Sequence, residues 1–519
     1  MKKTLNIIFC CLLLLVAKSA LSHIRQPFDA DNLFSTHYQP PASNFKIHLL
    51  TNHGGESKQA IYDQVDHLPA LIPYPKKITW NKEKYSLKNY TAIYISNPIF
   101  QKEARNFQKF LASKDISVQI KLKIYPGEKA IELWMKDSSP NNNKDESYSL
   151  TISANSIKIE TATSHGLYNA LQTFKQLSEG NVISGCEIDD SPAFSWRGFM
   201  IDVGRNYQSI SQIKQQIDVM AAYKLNIFHF HLTEDIAWRL QSKKYPQLTD
   251  AKYMLRNPGK YYSIEEMKDL INYCNERYIT LVPEIDMPGH SAAFKRAMGV
   301  DMQSEKGTII CKNILTEICD ELNLPIIHIG GDEVKITNHD FLPQMTKLLL
   351  SKNKQVIAWN PGGVLPEGTT LQMWNGGTKP KTKYPSVDSR HLYLNHFDPI
   401  DGVVATFNHK ICDTTVGDDF KLGATLCNWP DRNVTKETDL INMNAVYPVL
   451  LTFSERCWSG GGWENYATDI SIPGSEKYSA FKNFESRLLI HKEKYFKKVS
   501  FPYFKQSQIE WTLVGPFDN

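Results

Sequence analysis

The sequence predicts an α/β protein in which a (β/α)8 barrel, the TIM barrel, follows a small α+β domain. A length of 519 residues exceeds one average domain and suits a barrel with a companion domain. From Ala193 onward, short apolar segments alternate with stretches of helical period, and nearly every apolar segment ends in polar or aromatic side chains. Eight strands close such a barrel, and the candidates are residues 198–203, 227–232, 279–285, 325–330, 355–360, 370–374, 391–395 and 424–429.

The predicted boundaries follow changes in composition along the chain. Residues 1–22 contain Lys2 and Lys3, an apolar run and then small residues, which is typical of a secretory signal peptide. Residues 23–67 are polar and aperiodic and predict a linker or arm. We assign residues 68–190 to the α+β domain, 191–498 to the barrel, and 499–519 to a C-terminal strand or tail without an evident partner.

Local patterns support the individual elements. In the barrel, helices are expected to begin after Ser209 and Ser263, because Gln212 and Glu266 follow three residues later, as in a capping box. The links 331–354 and 375–390 are short or irregular for full helices, so the barrel is expected to be imperfect there. In the first domain, helical patterns at 100–113 and 165–178 accompany the strand-like stretches TAIYIS, VQIKLKIY, AIELWM, YSLTIS and SIKIETA.

Charge and cysteine content exclude several kinds of partner. The formal net charge is +4, and loss of Lys2, Lys3 and Lys18 with the signal peptide lowers it by three, to +1. A nearly neutral chain has no electrostatic attraction for nucleic acid, and the apolar run is too short to predict a membrane span. Seven of the nine cysteines lie beyond the signal peptide, scattered singly, which does not indicate a disulfide framework or a metal site.

The most informative short motif is His-Ile-Gly-Gly-Asp-Glu at residues 328–333. A buried-strand pattern runs directly into Asp332 and Glu333, and the two glycines remove side-chain bulk where another group must approach closely. An isolated Asp-Glu pair is most often part of a solvated turn, because carboxylates are mostly surface residues. Here, polar and aromatic residues of other predicted strands end on the same rim, where barrel enzymes hold their catalytic groups. The pattern therefore favours acid/base chemistry at this pair.

Several sequence blocks occur in a consistent order. They are WRG at 196–198, DVGR at 202–205, HFHLTED at 229–235, PEIDMPGH at 283–290, HIGGDE at 328–333, and then Trp359, Trp374, YLN at 393–395, WPD at 429–431 and ERCW at 455–458. Together these blocks resemble the family 20 glycoside hydrolases, the β-N-acetylhexosaminidases, over most of residues 190–460. The resemblance implies an exo-acting enzyme that removes terminal β-linked GlcNAc or GalNAc from an oligosaccharide or glycoconjugate. Retention would follow from attack by the substrate's own acetamide through an oxazolinium ion, without a cofactor.

The resemblance also implies roles for individual residues. Glu333 is the general acid/base, Asp332 holds the acetamide N–H, and Tyr393 donates to the acetamide oxygen. Arg197 contacts the 3- and 4-hydroxyls and Asp431 the 4- and 6-hydroxyls. The other implied members of the site are Trp359, Trp374 and Trp429 as pocket walls, Asn395 at the outer hydroxyls, and Asp235 with His290 as a supporting pair behind Glu333.

Some positions depart from the family pattern, and other functions remain open. Asp431 stands where many relatives have Glu, Asn395 where many have Asp, and Ile-Ala at 236–237 where Gln-Gly is common, so the rim differs more than the centre. His229 and His231 have the HxH spacing of metal-dependent barrel amidohydrolases, although a hydrogen-bonded pair of barrel histidines has the same spacing. An inactive carbohydrate-binding relative is the second alternative.

Overall fold

A computed structural model describes residues 45–49, 68–125, 127–136, 145–395, 399–464, 466–503 and 509–513. Residues 1–22, the predicted signal peptide, lie outside this part of the chain. Two units are distinguished, one formed by the terminal segments and one by residues 53–505. In the first unit, β1 (Phe45–Leu49) pairs antiparallel with the last strand, β19 (Ile509–Leu513). The expected arm thus contains a strand, and the strand expected near the C-terminus has a partner.

The first domain of the larger unit is a mixed sheet with two helices. Its helices are α1 (Gln101–Ala112) and α2 (Ser164–Leu177), close to the predicted ranges. The strands are β2 (Lys77–Ser86), β3 (Ala92–Ile95), β4 (Gln119–Lys121), β5 (Ala130–Met135), β6 (Tyr148–Ile152), β7 (Ile157–Thr161), β8 (Ser178–Glu179) and β9 (Val182–Asp190), in the spatial order β2-β9-β6-β7-β5-β3-β4 with β8 beside β9. The sequence did not predict β2 or β9. Strand β2 is rich in lysine, and a bulge between Trp80 and Lys84 interrupts its alternating pattern.

The second domain is a closed barrel of parallel strands. Its strands are β10 (Trp196–Asp202), β11 (Ile227–His231), β12 (Thr280–Glu284), β13 (Ile326–His328), β14 (Gln355–Asn360), β15 (Thr369–Met373), β16 (Ser386–Asp388), β17 (Tyr393–Leu394) and β18 (Lys421–Asn428). From β10 to β16 each strand pairs with the next, β16 and β17 both pair with β18, and β10 closes the barrel on β18. The strands are short and largely buried on both faces, because helices cover the outside and side chains fill the inside. The predicted fold class is confirmed.

The seventh barrel position corrects the predicted strand 391–395. Two short strands share this position: β16 pairs with β15 and the start of β18, whereas β17 pairs only with the end of β18. The sequence did not predict β16, since its last residue is the charged Asp388. That carboxylate is buried because Arg390 donates to both of its oxygens at 2.9 and 2.8 Å.

Helices outside the barrel complete the domain. They are α3 (Ile210–Ala222), α4 (Ile264–Asn275), α5 (Ala292–Met298), α6 (Glu305–Glu321), α7 (Phe341–Ser351), α8 (Pro399–Asn408), α9 (Asp439–Asn442), α10 (Val446–Ser459) and α11 (Glu476–Tyr495). Short 3-10 turns lie at Pro246–Thr249, Ala251–Tyr253 and Ile411–Asp413 in this domain, and at Leu87–Asn89 and Pro98–Phe100 in the first domain. Ser263 forms the predicted capping box, and Ser209 caps α3 by its side chain. The expectation of an irregular link at 331–354 was wrong, because α7 occupies it; residues 375–385 carry no helix, as expected.

The described residues contain neither a membrane-spanning helix nor a disulfide. No helix in the described ranges is both long and apolar enough to cross a membrane. All seven cysteines of these ranges are free thiols: Cys186, Cys274, Cys311, Cys319, Cys412, Cys427 and Cys457. Six are buried and Cys319 is partly exposed, as is usual for free cysteines, which pack like small apolar residues.

Candidate active site

Two glycines bring Asp332 close to a second buried carboxylate. Gly330 and Gly331, directly after β13, adopt φ values of +64° and +106°, which favour glycine. A Cβ at Gly330 would lie 1.7 Å from Asp286 Oδ1, so the group that approaches closely is this carboxylate. The backbone N–H of Gly331 also donates to Asp286 Oδ1 at 3.3 Å. The turn therefore places the end of β13 against the end of β12.

Asp332 is a buried carboxylate with unused acceptor capacity. Its side chain is 8% exposed, and no described residue donates a hydrogen bond to its Oδ1 atom. Burial and the negative charges of Glu284 and Glu333 raise the pKa of Asp332 to about 7, although His290 opposes the shift. A buried acceptor without a protein partner is costly, which indicates that the partner is a ligand.

Glu333 has the opposite environment. Its backbone adopts φ +49°, and its side chain is 52% exposed. His290 Nε2 lies 3.2 Å from Glu333 Oε2, while His290 Nδ1 lies 3.1 Å from Glu234 Oε1. Burial disfavours the charged imidazole, but the hydrogen bond to Glu234 and the charges of Asp286 and Glu234 raise the pKa of His290 to about 10. A cationic His290 thus links a buried acid to an accessible one.

Asp235 does not take part in this link, which corrects the predicted supporting pair. The side chain of Asp235 is exposed, and its Oδ1 atom accepts from the backbone N–H of Ala292 at 2.8 Å. Its neighbour Glu234 is buried and provides the carboxylate that contacts His290. Adjacent residues point in different directions, and the sequence alone did not decide which of the two acids faces inward.

The predicted aromatic residues form one cluster. Ring centroids lie 6.1 Å apart for Trp359 and Trp429 and 5.7 Å apart for Tyr393 and Trp429. Trp374 packs against the same cluster, and its indole N–H donates to Pro361 O at 2.8 Å. Trp359 is 1% exposed and donates to Glu284 Oε1 at 2.7 Å. The buried indole nitrogen of Trp429 has no hydrogen-bond partner among the described residues, so one donor faces the site unused.

Arg197 is not part of the site, contrary to the prediction. It lies at the N-terminal end of β10, opposite the catalytic rim, and is fully buried. Its Nη1 atom donates to Glu146 Oε1 at 3.2 Å and to Phe194 O at 2.9 Å, and its Nε donates to Lys224 O at 2.8 Å. These protein partners occupy the guanidinium, which cannot bind sugar hydroxyls.

The arginine at the rim is Arg205. Its Nη1 and Nη2 atoms lie 2.7 Å from Asp202 and 2.7 Å from Glu234, respectively. Its Nε lies 3.5 Å from Asp431 Oδ1, and its guanidinium sits 5.2 Å from the ring centroid of Trp429. Asp431 and Asn395 line one small cavity beside this arginine. Arg205 belongs to the DVGR block, which the sequence analysis identified, but the sugar-binding role was predicted for Arg197 instead.

The histidines considered as metal ligands surround Glu284. Its Oε2 atom lies 2.8 Å from His229 Nε2 and 2.7 Å from His231 Nδ1, and its Oε1 atom lies 3.2 Å from His328 Nδ1. All four side chains are buried. One ligand atom each of His229, Glu284 and His328 lie within 4.8 Å of one another, a spacing that a metal ion could use. Glu284 already accepts bonds on both oxygens, which is the hydrogen-bonded alternative raised by the HxH pattern. No role in the site was predicted for Glu234, Glu284 and Asp286, although all three lie at the ends of predicted strands, in the HFHLTED and PEIDMPGH blocks.

A parallel barrel with a buried and an exposed carboxylate, an imidazolium and an aromatic wall on its C-terminal rim is typical of barrel enzymes that use acid/base catalysis. The model of "Glycosyl hydrolase family 20, catalytic domain" matches residues 194–306, and that of "Glycosyl hydrolase family 20, domain 2" matches residues 68–191. These two matches show that residues 68–191 and 194–306 are similar to glycoside hydrolase family 20.

The chain is also similar to individual hexosaminidases in sequence and in structure. A β-hexosaminidase of Porphyromonas gingivalis is 30% identical over 62% of this chain and 49% of its own length. A β-N-acetylhexosaminidase of Cellulomonas fimi is 28% identical over 46% and 55%. The chain thus spans about half the length of these curated relatives. Among solved structures, a β-N-acetylhexosaminidase of Bacteroides fragilis superposes with TM-score 0.67 at 26% identity, covering 82% of this chain and 96% of that one. A chitobiase of Flavobacterium johnsoniae gives 0.65 at 25%, covering 82% and 72%.

Proposed function

We propose that the protein is an exo-acting β-N-acetylhexosaminidase that hydrolyses terminal β-linked GlcNAc or GalNAc with retention. The observation that carries this proposal is the unpartnered Oδ1 atom of buried Asp332, next in sequence to the accessible Glu333. An acceptor of this kind suits the N–H of a 2-acetamido group. The match to the family 20 catalytic domain and the similarity to a β-hexosaminidase and a β-N-acetylhexosaminidase support the same activity.

In the first step, the acetamide oxygen attacks the anomeric carbon while the glycosidic C–O bond breaks. Glu333 gives its proton to the leaving oxygen, and Asp332 holds the acetamide N–H and stabilises the positive charge of the oxazolinium ion. In the second step, Glu333 takes a proton from water, and that water attacks the anomeric carbon while the bond from this carbon to the acetamide oxygen breaks, which regenerates the acetamide and restores the β configuration. Tyr393 is proposed to donate to the acetamide oxygen throughout.

Other residues would position the sugar. Trp359, Trp374 and Trp429 offer apolar faces to the ring and the N-acetyl methyl group. Arg205 and Asp431 are placed to contact outer hydroxyls, with Asn395 beside them. His290, charged through its contact with Glu234, would lower the cost of forming the Glu333 carboxylate after proton donation. The substrate is accordingly an oligosaccharide or glycoconjugate, and we propose neither a metal cofactor nor nucleic acid as a partner.

The amidohydrolase alternative predicts dependence on a metal bound by His229 and His231. Because both imidazoles share Glu284 Oε2 in the structure, we expect activity to survive extended chelation. Loss of activity that zinc restores would favour the alternative. We also propose export through the secretory pathway, to the periplasm or the extracellular space, on the pattern of residues 1–22; N-terminal sequencing of the mature protein tests the cleavage.

Release of a common aryl alcohol from its β-GlcNAc, β-GalNAc and β-glucoside derivatives tests the activity. The acetamido sugars should be cleaved and the glucoside should be nearly inert, because it lacks the nucleophile. Asp332→Ala should lower turnover and weaken a thiazoline mimic of the cyclised intermediate together. The control Asp320→Asn changes an acid that is 61% exposed on α6 and should alter neither. A glucoside cleaved as fast as the GlcNAc substrate, or a covalent glycosyl carboxylate, would contradict the mechanism. No turnover on either acetamido sugar would favour the inactive carbohydrate-binding alternative.

A further inference from the structure

A second cleft opens beside the acidic pair and shares Asp332, Glu333 and Trp374 with the sugar contacts above. It encloses about 590 Å³ between two loops of the rim. One wall is the segment from Gly331 to Leu342, which contains Asp332 and Glu333, and the other is Pro361–Val364, which follows β14. Trp374 closes one end. The cleft is therefore continuous with the candidate active site through Glu333.

The cleft is apolar apart from its catalytic end. Val334 is 37% exposed and Val364 is 68% exposed, an unusual position for two aliphatic side chains on a catalytic rim. Ile336 and Leu342 also line it, and a Cβ at Gly363 would lie 2.3 and 2.5 Å from them. Among its described lining residues, only Asp332, Glu333 and His339 can carry a charge. A hydroxyl-rich group would lose its hydration here with few partners in return.

Hydrogen bonds hold the wall that carries the aliphatic side chains. Gln303 Oε1 accepts from the N–H of Thr337 at 2.7 Å and of Asn338 at 3.2 Å. Gln303 Nε2 donates to Lys335 O at 3.1 Å. One side chain therefore holds Lys335, Thr337 and Asn338, on both sides of Ile336, so the protein itself fixes this wall of the cleft. A preformed apolar surface binds an apolar group at a lower entropic cost.

We propose that this cleft binds the aglycone of the substrate and that the preferred aglycone is an alkyl or aryl group rather than a second sugar. This inference rests on the proposed function: if Glu333 protonates the leaving oxygen, the group beyond that oxygen lies where Glu333 borders the cleft. Val334 and Val364 then contact the first carbons of the aglycone.

Methyl β-GlcNAc, n-hexyl β-GlcNAc and N,N′-diacetylchitobiose distinguish an apolar aglycone preference from a sugar preference. All three release an alcohol, so their leaving groups are of one chemical kind. Each buried methylene adds a favourable transfer energy, so we expect kcat/KM for the hexyl glycoside to exceed that for the methyl glycoside at least ~10-fold. It should also exceed the value for N,N′-diacetylchitobiose. Equal values for methyl and hexyl, or a preference for chitobiose, would overturn the apolar-aglycone inference and leave the proposed function intact. No hydrolysis of any GlcNAc substrate would overturn both.

Val364→Asp tests the cleft itself. Val364 is mostly exposed, so the variant should fold, and the ratio of hexyl to methyl kcat/KM should fall toward one. The control is Val416→Asp, the same substitution at another exposed valine, whose side chain is 53% exposed. Val416 precedes Gly417, whose N–H donates to Ala193 O near the start of β10, on the opposite face of the barrel. A hexyl preference that survives Val364→Asp would place the apolar contact elsewhere and overturn the assignment to this cleft.

Discussion

At the scale of single residues, the two neighbouring acids differ because their surroundings differ. Asp332 is buried beside Asp286 and Glu284, whereas Glu333 is half exposed and contacts only His290 among the described ion pairs. The exposed side chain of Glu333 can reach a leaving oxygen and solvent, whereas burial and the charge of Glu284 raise the pKa of Asp332. Accessibility therefore agrees with proton transfer by Glu333, and the charge-stabilising role of Asp332 follows from the resemblance.

Glu333→Gln should lower turnover strongly on substrates with poor leaving groups and much less on activated aryl glycosides. The reason is that proton donation contributes ~10²–10⁴-fold only where the leaving oxygen needs the proton. Comparing kcat/KM on alkyl and nitrophenyl β-GlcNAc glycosides checks this. An equal loss on both would assign the proton transfer to another residue.

The pH dependence should report Asp332. Its carboxylate form holds the N–H and stabilises positive charge, and the protonated form does not, so kcat/KM should rise with pH through a pKa of about 7. Asp332→Asn should remove this acidic limb from the residual activity, whereas Asp320→Asn should retain it. Profiles of kcat/KM between pH 5 and 9 provide the measurement. A limb that persists unchanged in Asp332→Asn would belong to a different group.

At the scale of elements, the sequence could predict the strands that are apolar throughout, and the barrel with them. It could not predict β16, where the buried charge of Asp388 is stabilised by Arg390 and by His409, whose Nε2 lies 3.3 Å away. It also did not distinguish Arg197 from Arg205, because Arg197 lies near one end of the short strand β10 and Arg205 just past its other end, and only the direction of that strand in the barrel separates them. Partners distant in sequence decide such cases, and a local pattern does not contain them.

Asp388→Asn should destabilise the protein by about 3–5 kcal/mol, because it leaves the buried guanidinium of Arg390 with only the more exposed Asp413 as counter-ion. Burial opposes ionisation, but hydrogen bonds from Arg390 and His409 hold the pKa of Asp388 well below its ordinary value. This stabilisation is fully present above the unfolded pKa of about 3.9 and is lost as pH falls below it. Urea unfolding at several pH values tests both statements. Glu367→Gln, in an exposed pair 3.8 Å from Lys383, should cost under about 1 kcal/mol, and an equal cost would contradict the argument.

At the scale of the whole molecule, the first domain contacts the barrel at its N-terminal end through buried charges. Glu146 pairs with Arg197, and Lys224 Nζ lies 3.2 Å from Asp190 Oδ2 and donates to Tyr148 Oη at 2.9 Å. Buried pairs of this kind are strongly destabilising to break, since one charge remains without a partner. The face opposite the active site therefore serves stability, as the N-terminal faces of barrels generally do.

Arg197→Ala should accordingly lower the free energy of unfolding by about 3–5 kcal/mol and leave the KM for an aryl β-GlcNAc substrate near its original value. Arg205→Lys retains the charge beside Asp202 and Glu234 but loses the planar fork of donors, so KM should rise at least ~10-fold. Urea unfolding and steady-state kinetics on both variants, at a temperature where both are folded, separate the two roles. A stable Arg197→Ala protein with a raised KM would restore the sugar-binding role that the sequence implied, and would mean that the first barrel strand presents its other end to the substrate.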